Sequence, residues 1–463
     1  MNEDASYIAS RQLRRGATGW FLLAGLGVSY VISGDFAGWN FGIGEAGWGG
    51  FVLATTAMAV MYLTLVLTLA ELSSAIPTAG AGYSFARQAM GVTGGFVTGL
   101  AILIEYALAP AAIVIFIGAA TNELLRIDGP WVYAGFYGVF IGIHVIGVGE
   151  ALRVMLAITG LAVLAILITA VALIGSFDAG RLLDVPSPTG VTGEFLPFGW
   201  YGVWAALPFA MWLFLAVEGV PLAAEEANDP AKDVPRGIIV AMLFLMFTAA
   251  LVTVLLPGAV GAAAIGDSAV PLVDALNLAG FAPQAKLVNT LGLAGLIASF
   301  FSIIYGYSRL VFALSRAGYL PRSLSVTSSR HVPVRALVVP GFFGFLMSLS
   351  GAGDRMLAMA VVGATVSYAL MAASHLILRL RQPTLHRPYR TPGGMFTSGL
   401  CLLLSVLALT GVYAYDPAAF LFTMLLFVGG GIYFLSFGRH HLTARTAEEE
   451  FALLANAETT LKP

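Results

Sequence analysis

The chain has 463 residues, of which 59% are hydrophobic and 10% charged, and its mean hydropathy is +0.88. This composition excludes a water-soluble globular protein and indicates a protein that lies in a lipid bilayer. The single cysteine, Cys401, excludes a disulfide framework and a multi-cysteine metal site.

Apolar runs long enough to cross about 30 Å of hydrocarbon recur along the whole chain. Residues 1–19 are polar and contain arginine, and more spans follow the first one, so we expect no signal peptide. The longer loops are expected at 176–199 and 258–283. Twelve transmembrane helices are predicted near 18–43, 48–73, 92–119, 130–148, 153–175, 200–224, 237–257, 286–314, 335–352, 356–380, 396–414 and 417–437.

The positions of lysine and arginine predict the orientation of these spans. If the N-terminus is cytoplasmic, 19 of the 23 basic residues lie on the cytoplasmic side. Only Arg126, Arg181, Lys286 and Arg355 lie on the other side. This asymmetry predicts an even number of spans in a cell (inner or plasma) membrane, with both termini in the cytoplasm.

The first span contains the triplet Ser33, Gly34 and Asp35 where an apolar helix should continue. Glycines in membrane helices are usually small packing surfaces, but a carboxylate at mid-bilayer is costly and tends to be functional. The triplet therefore predicts a broken helix, whose freed backbone groups need a partner or a ligand.

The sixth span has a corresponding interruption, at Glu218, Gly219 and Pro221. Proline removes a backbone donor, so this segment is either a second broken helix or a simple kink. Interrupted helices five spans apart are the pattern of an inverted five-helix repeat, which places a binding site where the two breaks meet.

Other polar and aromatic side chains are predicted at similar depth. Glu105 and Tyr106 lie in the middle of the third span, and a cavity lined by Asp35, Glu105 and Glu218 would attract a small cation. The acids could instead be protonated in structural hydrogen bonds. Further candidates for contact with a substrate, each of which could also be a packing residue, are Trp39, Trp212, Phe214, Ser302 and Tyr305.

Four motifs give the chain a resemblance to the amino acid–polyamine–organocation transporters over nearly its whole length. They are AELSSAIPTAGAGYSFARQAMG, EEANDPAKDVPRGI, SRLVFALSRAGYLPR and LRLRQPTLHRPYRTPGG. Glu71 belongs to the first motif and is interpreted as a structural or gating residue. The resemblance implies alternating access in a LeuT-type core at 18–380, with repeats at 18–175 and 200–380, two appended helices within 381–437, and tails at 1–17 and 438–463.

Within that family the nearest similarity is to the ethanolamine permeases, on the segments YVISGDFAGWN and LIEYALAPAAIVIFIG. Amino acid carriers usually have a Gly-Ser-Gly type break whose amides bind the substrate carboxylate. Here Asp35 follows Gly34, and its charge would repel a carboxylate. We therefore expect an amine without an acid group, with ethanolamine first and a neutral or cationic amino acid or a polyamine as the alternative.

The remaining classes of function are less compatible with the sequence. No metal-ligand spacing and no phosphate-binding loop occur, so an enzyme, a cofactor or a nucleic-acid partner is not expected. A channel is disfavoured by the two interrupted helices. The fifth span has no lysine of the kind that some proton-coupled relatives carry, so coupling stays open between a proton on one of the three acids, sodium near the eighth span, exchange, and electrogenic uniport of the cation.

Overall fold

The computed structural model describes residues 16, 18–146, 149–187 and 193–443, without the side chains of 149–152. Most of the predicted tails, 1–17 and 438–463, and the predicted end of the fourth span at Val148 lie outside these ranges. Within them, nine helices are long and apolar enough to cross a membrane, and three shorter apolar helices complete the twelve predicted segments.

We label these helices α1 to α12 in chain order. Their bounds are Trp20–Phe36, Phe41–Ala75, Gly82–Leu125, Pro130–Ile146, Gly149–Leu173, Gly199–Glu226, Pro230–Val260, Ala282–Arg316, Val334–Ser348, Gly353–Arg381, Met395–Tyr415 and Pro417–Ser436. The described residues form no β-strand. A helix satisfies all of its backbone hydrogen bonds within one segment, which is what an apolar solvent demands. The predicted all-α polytopic fold is confirmed.

Two glycines with positive φ divide long helices where the sequence predicts a boundary. Gly47, with φ 69°, separates the end of the first predicted span from the second within α2. Gly91, with φ 76°, separates a short preceding helix from the third span within α3. This left-handed conformation is accessible to glycine at little steric cost, so each kink lies at a glycine.

The first span is broken, but later than predicted. Ser33–Phe36 is helical, and the amide of Ala37 still donates to the carbonyl of Ser33 at 3.2 Å. The break follows at 37–40, where Ala37 is extended and Gly38 has φ 93°. The glycine that leaves the helical conformation is therefore Gly38, and Asp35 lies one turn before the break.

The sixth span is broken earlier than predicted. An α-helix ends at Trp212, Ala216 takes a left-handed φ of 77°, and a 3₁₀-helix then runs from Val217 to Glu226. Glu218, Gly219 and Pro221 therefore lie inside this 3₁₀-helix rather than at the break. Pro221 is accommodated within this 3₁₀-helix, while the reversal occurs at Ala216, a residue without a distinctive sequence signal.

The two broken helices cross at close range. A Cβ atom on Gly34 would lie 2.6 Å from the carbonyl oxygen of Trp212, and one on Gly219 would lie 2.4 Å from the hydroxyl of Tyr106. These glycines permit α1 to approach α6 and α6 to approach α3. Around this crossing, α3 packs on α8 and α10, and α7 packs on α1 and α2.

Candidate functional site

Two of the three predicted acids meet at the centre of the bundle. We define the carboxyl–tyrosine cluster as Glu105, Glu218, Tyr62, Tyr106 and Tyr368. All five side chains are buried, with at most 4% of each exposed. They come from α3, α6, α2, α3 and α10, so the cluster joins four helices.

The Tyr368 hydroxyl connects the two acids. It lies 3.2 Å from Oε1 of Glu105 and 2.7 Å from Oε2 of Glu218. The Tyr106 hydroxyl donates to Oε1 of Glu218 at 3.0 Å, and the Tyr62 hydroxyl lies 3.3 Å from that of Tyr368. The sequence analysis identified Tyr106 but missed Tyr62 and Tyr368, because neither tyrosine interrupts the apolar pattern of its helix.

The cluster lacks a basic partner. Oε2 of Glu105 is buried without a hydrogen-bond donor, and no Lys, Arg or His in the described ranges forms an ion pair with either acid. Two carboxylates held this close repel each other unless a proton or a cation lies between them. The arrangement can therefore hold a positive charge.

Asp35 does not join this pair. Its side chain is 1% exposed, and neither carboxylate oxygen has a hydrogen-bond partner within the described part of the chain. The Thr248 hydroxyl of α7 lies beside it. The helical turn that contains Asp35 also packs on α8, where a Cβ atom on Gly292 or Gly295 would contact the ring of Phe36.

The predicted serines form a separate network between α1 and α8. Ser29 and Ser302 share a hydrogen bond of 2.6 Å, and the amide of Ser33 donates to the Ser299 hydroxyl at 2.9 Å. Ser302 also donates to the sulfur of Met155 on α5 at 2.9 Å. These hydroxyls are engaged within the scaffold and form no hydrogen bond with the carboxyl–tyrosine cluster among the described residues.

The two predicted tryptophans, Trp39 and Trp212, hold the break in α1. The Trp212 indole donates to the carbonyl of Ala37 at 3.0 Å, and the Trp39 indole donates to the carbonyl of Asp35 at 3.2 Å. Phe214 contacts the cluster through Tyr62, with ring centroids 5.6 Å apart. A movement of the break would therefore reach the cluster through α6.

The remaining candidates lie near one end of the bundle, which we call the basic end because Arg309, Arg316, Arg379 and Arg387 lie there. Tyr305 packs under the Arg309 guanidinium, 4.5 Å from the ring centroid, rather than in the cluster. Arg309 in turn pairs with Glu226 at 2.7 Å, with 3% of each side chain exposed.

Glu71 has partners that the sequence did not predict. Arg379 donates to it at 2.8 Å, the amide of Thr391 donates at 2.7 Å, and Arg387 lies at 3.0 Å. The imidazole of His375 approaches the same carboxylate at 3.1 Å. Glu71 thus connects α2 to α10 and to the loop after it.

The sequence also did not predict the contacts of Glu225, a second glutamate at the basic end. Glu225, next to Glu226, accepts from Arg316 at 2.7 Å and from the amide of Ala79 at 2.9 Å. Both glutamates open the motif EEANDPAKDVPRGI, so the signal was present, but their partners lie on α8. In the described residues no group of three or more His, Cys, Asp or Glu side chains could hold a metal ion.

Comparison with known proteins agrees with this architecture. The family model described as amino acid permease matches residues 19–434. The branched-chain amino acid permease BcaP of Bacillus subtilis is 27% identical over 439 residues, which cover 91% of this chain and 93% of that protein. The methylthioribose transporter of Bacillus subtilis is 25% identical over 440 residues, with 89% and 90% covered.

A shorter match is to the D-serine/D-alanine/glycine transporter of Escherichia coli K12, which is 26% identical over 279 residues, or 55% of this chain and 58% of that protein. The family model spans both broken helices and the carboxyl–tyrosine cluster. The proteins of this family are transporters rather than enzymes, and the chain belongs to the amino acid permease family.

Proposed function

We propose that this permease takes up a small organic amine that lacks a carboxylate, with ethanolamine as the leading candidate, by alternating access. The observation that carries the proposal is the Glu105–Glu218 pair, which is buried, bridged by Tyr368 and without a basic partner among the described residues. The substrate ammonium would supply the missing positive charge.

The chemistry of the cluster suits an alkanolamine. An ammonium group offers three N–H donors, and the two carboxyl groups with Oε2 of Glu105 unused offer acceptors. The tyrosine hydroxyls can donate or accept, so they suit a substrate alcohol. A substrate carboxylate in the same place would add a third negative group to a low-dielectric site.

The proposed topology follows from the unequal distribution of lysine and arginine between the two sides of the membrane. The basic end would face the cytoplasm of a cell membrane, with both termini on that side. The core would comprise 18–380, built from repeats at 18–175 and 200–380. The helices within 381–437 would lie outside the core, and α11 packs there against α2 and α10.

An amino acid is the second candidate, because relatives are named for branched-chain amino acids and for D-serine, D-alanine and glycine. Such a substrate would need donors for its carboxylate. The amides of Gly38, Trp39 and Asn40 in the α1 break donate to no acceptor in the described ranges, and they would be the donors available. A polyamine would use the same acids as ethanolamine.

The test is competition for counterflow in proteoliposomes that contain the purified protein. Labelled ethanolamine is exchanged against unlabelled ethanolamine, leucine, alanine, arginine or putrescine. We expect saturable exchange, with ethanolamine as the strongest competitor. Stronger competition by leucine or alanine would overturn the amine assignment in favour of the amino acid, and a flux that does not saturate would contradict a carrier.

Two variants connect the result to the cluster. We expect Glu105→Gln to weaken ethanolamine binding at least about tenfold, or about 1.4 kcal/mol, because the amide removes one of the two negative charges. Glu123→Gln is the matched control, since Glu123 lies on the same helix with a side chain 46% exposed. Equal binding by both variants would exclude the cluster as the ammonium site.

A further inference from the structure

Asp35 is a buried acid that the proposed amine site does not use. It is 1% exposed on α1, one turn before the break, and both of its oxygens lack a hydrogen-bond partner in the described part of the chain. An isolated ionised carboxylate is very unfavourable in such surroundings. A bound proton or cation is therefore needed to balance it.

The environment of Asp35 fits a proton better than a metal ion. The Thr248 hydroxyl already donates to the carbonyl of Leu245 at 3.2 Å, so its lone pairs are available to accept. A protonated Asp35 could donate to that oxygen, whereas an ionised Asp35 would have to compete with the carbonyl for the hydroxyl proton. Hard metal ions require several oxygen ligands, and no group of three or more His, Cys, Asp or Glu side chains in the described ranges could hold one.

The elements packed against this turn bring no base to it. The turn Ser33–Phe36 contacts α7 and α8, and its Gly34 also meets the backbone of α6 at Trp212. The polar groups on that side are Thr248 of α7 and Ser299 and Asn289 of α8. In the described ranges no Asp, Glu, His, Lys or Arg side chain from these helices pairs with Asp35, so its protonation is not fixed by a neighbouring charge.

A small crevice reaches the break beside this turn from the end of the bundle opposite the basic end, and Asp35 itself is not among the residues that line it. The crevice is lined by Phe36 and Ala37 of the break, by residues of the α7–α8 connection such as Val270, and by Asn289 and Gly292 of α8. Both carbonyls that flank the turn, those of Asp35 and Ala37, are held by the Trp39 and Trp212 indoles. The exposure of Asp35 is therefore tied to the conformation of the break.

We propose that Asp35 binds and releases the proton that drives uptake, at a site separate from the amine site. A proton from hydronium in the crevice adds to the carboxylate and leaves water behind, and the resulting acid donates to Thr248. When the break in α1 rearranges, the proton passes to water on the other side and the carboxylate is restored. The inference rests on the proposed function only for the choice of substrate.

The experiment compares gradient-driven accumulation with counterflow in proteoliposomes at zero membrane potential. With the outside acidic by one pH unit, one proton per substrate supports up to about tenfold accumulation of ethanolamine. Passive trapping of a weak base would act in the opposite direction. We expect Asp35→Asn to lose this accumulation, so that its internal ethanolamine concentration is about tenfold lower than that of the wild type. Its counterflow should stay near that of the wild type.

Matched variants make the result specific. Glu45→Gln, an exposed acid-to-amide change beyond the same break, should accumulate like the wild type. Thr248→Val should weaken accumulation and shift its pH dependence while counterflow persists. If Asp35→Asn does not fold, as judged by gel filtration, Thr248→Val and Glu45→Gln decide the outcome.

Three results would overturn the inference: accumulation that survives in Asp35→Asn, accumulation that a sodium gradient but not a pH gradient drives, or no gradient-driven accumulation by the wild type. Failure of the amine assignment is a different result. There the wild type exchanges leucine but not ethanolamine, and the same two assays with leucine then test Asp35 independently.

Discussion

Buried acids at the basic end and buried acids at the centre of the bundle have opposite surroundings. At the basic end, the buried Glu71 and Glu226 and the partly buried Glu225 each contact an arginine, at 3.0 Å or less. At the centre, Glu105 and Glu218 share tyrosine hydroxyls, and no arginine, lysine or histidine of the described residues pairs with them.

We propose that this difference separates structural acids from functional ones. The fold provides an arginine where a carboxylate joins two helices permanently, as Glu226 joins α6 to α8. Where no arginine is provided, the positive charge must come from outside the chain, either as a substrate or as a proton. Glu218 and Glu226 lie on one 3₁₀-helix, so a change at the centre can be transmitted to the basic end.

The largest effect is expected from Arg309→Met. The substitution leaves the Glu226 carboxylate buried and uncompensated, which costs about 3–5 kcal/mol in stability. The thermal transition of the detergent-solubilised protein, followed by gel filtration after heating, should fall sharply.

The double variant Arg309→Met with Glu226→Leu is the control for that prediction. Replacing a buried ion pair by apolar side chains is often close to neutral, so most of the lost stability should return. If the double variant melts at the same temperature as Arg309→Met, the loss of stability does not come from an unpaired Glu226. The proposed difference between the two regions then does not hold at the basic end.

A smaller and opposite effect is expected from Glu105→Gln. Without substrate, the variant should melt at or above the temperature of the wild type, because one of two mutually repelling carboxyl groups is neutralised. Ethanolamine at 100 times its dissociation constant should stabilise the wild type by about 2.7 kcal/mol, and at that concentration it should stabilise a variant that binds about tenfold more weakly by about 1.4 kcal/mol or less.

Glu123→Gln should respond to ethanolamine as the wild type does. A Glu105→Gln protein that is strongly destabilised without substrate would show that Glu105 is structural after all. In that case the difference between the two regions would not mark a binding site.

The smallest effect is expected from Asp416, a partnered acid between α11 and α12. It caps α12 by accepting from the amide of Ala419 at 2.9 Å, and it pairs with Arg355 at 2.9 Å. Asp416→Ala should cost about 1 kcal/mol through the lost cap. Asp416→Asn keeps a capping oxygen and should cost less, because an exposed pair contributes little.

The pH dependence of stability tests how much the Asp416–Arg355 ion pair contributes. Burial alone would raise the pKa of Asp416, but the Ala419 amide and the Arg355 guanidinium lower that pKa below its usual range. A lowered pKa in the folded state stabilises the protein above the unfolded value of about 3.9. The difference between wild type and Asp416→Asn should therefore fade as pH falls below about 4, and a constant difference would contradict the ion pair.

Local patterns predicted much of the fold because hydrophobicity and helix formation are local properties. The second span was expected to begin at residue 48, and the kink at Gly47 lies directly before it. Both broken helices were identified, although the break at 37–40 follows Asp35 by a turn and the reversal at Ala216 precedes Glu218. Proline and glycine signal that a helix is interrupted, but the neighbouring helices determine which residue leaves the helical conformation.

The sequence by itself determined the solvent, the helical class, the number of spans and the presence of unpaired acids at depth, since each depends on residues close together in the chain. Only the tertiary structure decided which acids meet. A helix turns by about 100° per residue, so Gly34 faces α6 while Asp35, one residue later, faces Thr248 on α7. Likewise, Glu71 and Arg379 are 308 residues apart, and only packing brings that arginine to that carboxylate while leaving Glu105 and Glu218 to each other.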